Sequence, residues 1–296
     1  MRSTILCVLF LTCLLLLSSC THWLYAPSAA THYDVSTLPI TPTEDYLTVA
    51  KNQKIHLWYF KTPHQNPKAL LAHFHGNGEN QSTHFMFFYW ALAHGYDLVN
   101  FDYRGYGKSH SPGKLHPQST VEDGLAVFSH IQKLRHRGAQ KKLPVVAIGQ
   151  SLGGAVLMKT VSLLPSEQRP DFLVLDSTFS SYQQAARSVL SQSWLLTLFK
   201  PLTFLVIDDS WSPKSQLASL DSIPKVLLHS TDDRIIRYEL GQKLMSDLGG
   251  EKFFWTIPQG GHTSAFLPDL RPVYSEKLTR CLEKYFLEKT TQLCAH

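Results

Sequence analysis

Short apolar runs recur along the chain at 54–60 (KIHLWYF), 69–76 (ALLAHFHG), 96–102 (YDLVNFD), 144–149 (PVVAIG), 171–176 (DFLVLD), 224–230 (PKVLLHS) and 252–257 (KFFWTI). Runs of this length, bounded by Gly, Pro, Asn or Asp, read as buried strands. Between them, amphipathic stretches predict helices over about residues 80–94, 119–136, 152–164, 180–191, 239–248 and 272–289. Strands that alternate with helices predict a mostly parallel sheet covered on both faces, because parallel neighbours need a crossover connection.

One stretch departs from the alternation. Residues 192–221, QSWLLTLFKPLTFLVIDDSWSPKSQLASLD, hold a long apolar segment broken by Pro201 and exceed the length of an ordinary connection. A helical cap above the sheet or a surface helical hairpin would account for it. At the N-terminus, MRSTILCVLFLTCLLLLSSC opens with one arginine, runs through unbroken apolar residues and closes on small ones, the form of a secretory signal. The apolar run is shorter than the ~20 residues that cross a bilayer, and no stop-transfer charge follows. Residues 21–45, with Pro27, Pro39 and Pro42 among Ser and Thr, lack periodicity and read as a tether. The expected organisation is a signal over 1–19, a tether over 20–45 and one domain over 46–296, with 192–221 as its possible cap.

Composition changes this picture little. With 296 residues, 44% hydrophobic and 17% charged, the chain has material for a large globular core, so disorder is not the default. The net charge of +5 is scattered, and its densest patch, KLRHRGAQKK at 133–142, falls where a helix should end. No nucleic-acid motif accompanies it, so no nucleic-acid partner is expected. No internal repeat divides the domain, and a monomer is expected.

The candidate chemistry begins at Gly149-Gln150-Ser151-Leu152-Gly153, a G-x-S-x-G sequence with a strand before it and a helix after it. Such a turn exposes a serine hydroxyl, and the glycines remove side chains that would clash. A plain Gly/Ser bend would carry the same letters, so a base and an acid are needed. Among 15 histidines, His262 in PQGGHTSAF stands in a glycine-softened loop after the last strand. Asp232 and Asp233 in LLHSTDDRII follow the preceding strand. The order Ser, Asp, His is that of one serine-hydrolase arrangement and not of the other two common ones. A second oxyanion donor would come from HFHGNGEN at 73–80, with the backbone N–H groups of Asn77 and Leu152 aimed at the oxyanion. His73 and His75 could suggest a metal pair, but no third ligand stands at a metal-site spacing, and no metal is expected. Asp102 and Arg104 read as an ion pair that shapes their loop.

Together these motifs resemble the α/β-hydrolase superfamily from about residue 46 to 288. LVNFDYRGYGKS at 98–109 and DSTFSSY at 176–182 are similar to a subgroup of membrane-associated serine hydrolases with esterase or acyl-thioesterase activity, some of them serine-peptidase-like. HSTDDRIIR resembles that superfamily's H-G-x-x-D-x-x-V-P stretch, which implies Asp233 as the acid and leaves Asp232 a solvated neighbour; Ser230 and Arg237 depart from its Gly and Pro. The resemblance implies a triad of Ser151, Asp233 and His262 acting on a small acyl ester or thioester with no cofactor. A peptidase or amidase on the same triad, or a non-catalytic binding protein, remain alternatives.

Leu17-Ser18-Ser19-Cys20 resembles the lipobox of bacterial lipoproteins, which implies cleavage before Cys20 and a diacylglycerol on its sulfur. The membrane would then be a partner through Cys20, and Thr21 in place of Asp implies the outer membrane, facing the periplasm. Cys281 and Cys294 would lie in an oxidising compartment, either bridged or as two thiols.

Overall fold

The computed structural model describes residues 24–109, 115–136, 142–191 and 194–295. The signal and Cys20 lie outside these residues. Strands β1 (Thr43–Ala50), β2 (Gln53–Phe60), β3 (Ala69–Phe74), β4 (Tyr96–Phe101), β5 (Val145–Gln150), β6 (Phe172–Asp176), β7 (Lys225–Ser230) and β8 (Lys252–Ile257) form one sheet in the order β1-β2-β4-β3-β5-β6-β7-β8. β1, β2 and β4 pair antiparallel, and every other neighbouring pair is parallel. The principal helices are α1 (Pro117–Arg135), α2 (Leu152–Leu163), α3 (Tyr182–Leu190), α4 (Tyr238–Asp247) and α5 (Arg271–Glu288). This is the α/β-hydrolase fold.

The apolar runs are continuous because both faces of the central strands are covered. In β3, Leu70, Ala72 and Phe74 join a core with Val127 and Phe128 of α1 and Val156 of α2. Ala69 and Leu71 join the opposite core with Phe85, Phe88 and Leu278 of α5. The two-residue alternation of a strand thus feeds two cores, and the sheet is their shared wall.

Three departures from the sequence reading have physical causes. β1 falls within no apolar run because it is an edge strand whose residues are mostly exposed. The helix expected over 80–94 is a single turn, Gln81–His84, followed by 3₁₀ turns at Phe85–Phe87 and Tyr89–His94. Within the 3₁₀ turns the buried residues Phe85, Phe88 and Ala91 recur every third position, the 3₁₀ period, with Leu92 buried beside the last. The stretch expected as a tether is, over its described part, laid along the domain: Tyr25 is buried, and Asn80 Nδ2 donates to the carbonyls of Ser28 (3.0 Å) and Ala30 (2.7 Å). Its order comes from hydrogen bonds to irregular backbone, which leave no periodic trace.

Residues 194–221 leave the sheet between α3 and β7 as short turns, Trp194–Thr197, Lys200–Leu202, Thr203–Val206 and Pro213–Leu220. Arg187 of α3 holds this excursion, donating from Nε to Thr203 Oγ1 at 2.9 Å with its guanidinium 3.5 Å from the Phe204 ring centroid. At the far end of the chain Cys281 and Cys294 are joined by a disulfide. Among the described residues no helix is long and apolar enough to cross a membrane.

Candidate active site

Ser151 sits between β5 and α2 with φ 51° and ψ −120°, a sparsely populated conformation for a residue with a side chain. Packing enforces it. A Cβ on Gly153 would come within 2.1 Å of the Phe74 carbonyl oxygen, and one on Gly149 within 2.5 Å of the Gly154 Cα. The first turn of α2 therefore presses directly on the end of β3, and the chain can pass Ser151 only through a tight turn. The strand end at β6 clamps this turn: Ser151 N–H donates to the Asp176 carbonyl at 2.9 Å, and Thr178 Oγ1 donates to the Ser151 carbonyl at 2.6 Å.

Asp233 and His262 come together from the loops after β7 and β8. His262 Nδ1 lies 2.7 Å from Asp233 Oδ2, while Asp233 Oδ1 accepts from the N–H groups of Ile235 (2.9 Å) and Ile236 (3.0 Å). The Asp233 side chain is fully buried. An ionised carboxylate can only accept, so the proton of neutral His262 sits on Nδ1 and the Nε2 lone pair is free to receive another.

The same strand end that clamps Ser151 also holds the histidine loop. Ser177 Oγ accepts from Thr263 N–H at 3.1 Å and donates to Asp176 Oδ1 at 3.2 Å. Ser151 and His262 are thus fixed to one tripeptide, Asp176–Thr178. Asp232 is exposed, as expected of a solvated neighbour, and its Oδ1 in addition accepts from Ser230 Oγ (2.5 Å), Gly260 N–H (3.1 Å) and Gly261 N–H (2.9 Å). These bonds, the Ser230 hydroxyl first, hold its carboxyl below the usual range. Where the resembling pattern has glycine, Ser230 supplies a hydroxyl that helps Asp232 shape the turn before His262.

The loop after β3 approaches the serine from the other side. A Cβ on Gly76 would lie 3.6 Å from Ser151 Cβ. Among the described residues, neither the Asn77 nor the Leu152 backbone N–H has a hydrogen-bond acceptor. The Asn77 side chain is engaged elsewhere, with Nδ2 donating to the Leu24 carbonyl at 2.6 Å and Oδ1 accepting from Ala26 N–H (2.8 Å) and the Tyr106 hydroxyl (2.8 Å).

Beneath the serine runs a buried polar chain. Asp176 Oδ2 accepts from Gln150 Nε2 at 3.0 Å, Gln150 Oε1 lies 2.9 Å from His73 Nε2, and His73 Nδ1 lies 2.7 Å from Asn100 Oδ1. Burial pushes the Asp176 carboxyl up to about 6 and His73 down to about 3. His75 Nδ1 is 2.7 Å from the Gly76 carbonyl, which ties this histidine to the loop beside Ser151. The expected pair of Asp102 and Arg104 does not form. Arg104 Nε donates to Asp123 Oδ1 of α1 at 2.8 Å and Nη2 to Glu122 Oε2 at 2.8 Å, whereas Asp102 Oδ1 accepts from Gln81 N–H at 2.7 Å. Residues two apart across this turn face opposite ways, and α1 brings the acids that Arg104 meets. A groove of about 1050 Å³, lined by Lys68, Asp97, Arg135 and Asp171, lies at the opposite strand ends.

Comparison with known proteins agrees with this architecture. A model of the family described as serine aminopeptidase, S33, matches residues 65–219. The uncharacterized protein YfhR of Escherichia coli K12 is 30% identical over 234 residues, 78% of this chain and 77% of that one. The lysophosphatidylserine lipase ABHD12 of Macaca fascicularis is 30% identical over 201 residues, which are 65% of this chain but 48% of the lipase. In structure, the Pyrococcus furiosus esterase Pf2001 superposes with a TM-score of 0.65 at 18% identity, covering 90% of this chain and 97% of its own. A soluble variant of the Saccharomyces cerevisiae monoglyceride lipase reaches a TM-score of 0.64 at 15% identity, covering 87% and 99%. At such identities the structural likeness speaks for the fold.

Proposed function

The chain belongs to the serine aminopeptidase S33 family of α/β hydrolases, and from that premise we propose that it cleaves a carboxylic ester or thioester through an acyl-enzyme on Ser151. The observation that carries this reading is the 2.7 Å contact between Asp233 and His262, with the histidine loop pinned to the strand end that also clamps the strained Ser151. Ser151 Oγ attacks the acyl carbonyl carbon and its proton passes to His262 Nε2. The imidazolium that forms is stabilised by Asp233. The charge on the carbonyl oxygen is met by the backbone N–H groups of Asn77 and Leu152, the latter at the positive end of α2. Collapse of the tetrahedral intermediate breaks the bond to the alcohol or thiol, which leaves with the proton of His262. Water, deprotonated by the same histidine, then attacks the acyl carbon and frees Ser151.

The apolar rim suits a substrate with an acyl chain. Ile235 and Leu267, close in sequence to the acid and the base, are exposed apolar side chains at its mouth. The esterase and lipase names among its relatives and structural neighbours point the same way. The anchoring reading rests on the lipobox-like sequence at Cys20, and the disulfide between Cys281 and Cys294 supports an oxidising compartment.

The test is labelling with a fluorophosphonate probe, followed by turnover of acyl esters of graded chain length and of aminoacyl amides. Wild-type protein should label, Ser151→Ala should not, and esters should turn over faster than amides. Labelling of Ser151→Ala would overturn the nucleophile; preferred cleavage of aminoacyl amides would make the enzyme a peptidase. A mature N-terminal peptide whose mass lacks a diacylglycerol would remove the anchor.

A further inference from the structure

The excursion between α3 and β7 carries surface that a freely soluble protein rarely presents. Trp194, Leu198, Phe199, Leu202, Phe204 and Leu205 are all exposed, Trp194 to 80% and Leu198 to 71%. Exposed large apolar residues are ordinary when scattered singly, but clustering within one short segment marks a contact surface. Charge points to the kind of contact. From Tyr182 to Ile207 the only charged residues are Arg187 and Lys200, both basic. Acids stand only at the base, where Asp209 is turned back onto α3, accepting from Ser181 Oγ at 2.6 Å, and the exposed Asp208 accepts from Ser210 N–H at 2.9 Å and Ser210 Oγ at 2.8 Å. Apolar side chains interspersed with cations and free of acids suit the interface of an anionic bilayer.

The position of the chain start adds an independent argument. The first described residue, Leu24, accepts a hydrogen bond from Asn77 on the loop beside Ser151. Tyr25 is buried beside Tyr182, the first residue of α3. α3 then runs along the acid loop, where Ser188 Oγ accepts from Arg237 N–H at 3.1 Å, and leads into the cap. Cys20 precedes Leu24 by four residues, which span at most ~14 Å. A lipid on Cys20 therefore enters the bilayer close to the same rim that bears the cap.

We infer that the cap docks on the bilayer surface next to the Cys20 anchor, so that the cleft at Ser151 opens against the membrane and takes its acyl substrate from the lipid phase. This rests on the anchoring and ester-hydrolase readings above. The docked cap would hold the mouth of the site at headgroup depth, where the ester bonds of acyl lipids lie.

The test uses the full processed protein reconstituted into vesicles of phosphatidylethanolamine and phosphatidylglycerol. An environment-sensitive fluorophore is attached through Leu198→Cys, with Leu287→Cys on α5 as the control; both positions are strongly exposed, so neither change disturbs the core. The probe at 198 should shift to the blue and be quenched several-fold more by doxyl-labelled lipid than the probe at 287. Equal, weak quenching at both positions on protein that floats with the vesicles overturns the docking and leaves the anchor standing. Strong quenching at 198 on protein whose Cys20 peptide carries no acyl chain supports the docking while the anchor fails. Protein that does not float at all refutes both. The double variant Trp194→Ser/Leu198→Ser should retain turnover of a soluble short ester and lose severalfold on a long-chain ester presented in vesicles; an equal effect on both would count against the docking.

Discussion

Replacing Asp233 by asparagine tests the proposed mechanism at its most constrained point. Three N–H groups converge on this carboxylate: those of Ile235 and Ile236 on Oδ1, and His262 Nδ1 on Oδ2. Asparagine is the same size but can accept at one atom only. If its oxygen stays under the two backbone N–H groups, its NH₂ faces His262; if it turns, both backbone donors, the one of Ile236 buried, are left without an acceptor. Each orphaned buried donor costs about 1–3 kcal/mol, so the first orientation wins by at least one such penalty. The NH₂ then requires a lone pair on His262 Nδ1, which places the proton on Nε2. Nε2 can no longer take the proton of Ser151. The expected loss is about 10⁴-fold in kcat, or about 5.5 kcal/mol of barrier.

Stability should change far less, since the variant keeps both backbone bonds and its volume. The measurement is kcat/KM on a short acyl ester from pH 6 to 9, alongside thermal unfolding. The adjacent Asp232 supplies the control. All three of its bonds fall on Oδ1, so an asparagine oxygen can retain them, and Asp232→Asn should keep activity within tenfold of wild type. A folded Asp233→Asn protein with near-normal turnover, or an Asp232→Asn variant that is the more damaged of the two, would refute the reasoning.

Gly153→Ala would place a Cβ 2.1 Å from the Phe74 oxygen and 2.4 Å from the His75 oxygen, both backbone atoms of the central sheet and its loop; urea unfolding should show a loss at or above the ~1–3 kcal/mol typical of overpacking, and an unchanged midpoint would contradict the packing of α2 against β3. The disulfide closes a loop with 13 residues of sequence separation, so Cys281→Ser/Cys294→Ser should lose about 3 kcal/mol of stability while the proposed ester turnover at 25 °C persists, because the bridge joins α5 to the C-terminal turn, on which none of Ser151, Asp233 and His262 lies. Asp176→Asn changes the pH profile of stability: the wild-type carboxyl moves from 3.8 in the unfolded chain to about 6 in the fold, chiefly through burial. A raised acid stabilises the fold fully below 3.8 and loses that contribution, up to about 3 kcal/mol, as pH climbs to about 6. The stability difference between variant and wild type should therefore move in favour of the variant between pH 4 and 6 and stay flat above; parallel curves would exclude a perturbed Asp176.

Much of this architecture was legible because its signals are contiguous. The central strands are buried on both faces and so appear as unbroken apolar runs, and the candidate nucleophile, acid and base each follow a strand. The parts that were not legible depend on chain segments that meet only in the fold. Arg104 is two residues from Asp102 yet bonds Asp123, because the carboxylate it meets is delivered by α1. Asp232 looks redundant beside Asp233 in the sequence, and its part in shaping the turn becomes visible only when Gly260 and Gly261 are folded against it. Ser177 sits in a stretch marked by its resemblance, but its bond to Thr263 joins β6 to a loop 86 positions away.

Asn77 shows how both kinds of information can reside in one residue. The candidacy of its backbone N–H for the oxyanion follows from the position of the loop after β3, a property of the topology that motif order can reveal. Its side chain is occupied elsewhere, gripping Leu24 and Ala26 and receiving the Tyr106 hydroxyl. A backbone donor is useful in catalysis only if its direction is fixed before charge develops, and a surface loop does not supply that rigidity alone. Here it is supplied by a segment whose Pro, Ser and Thr content suggests a spacer. The stretch that would carry the lipid anchor is thereby also the stretch whose backbone holds the Asn77 side chain.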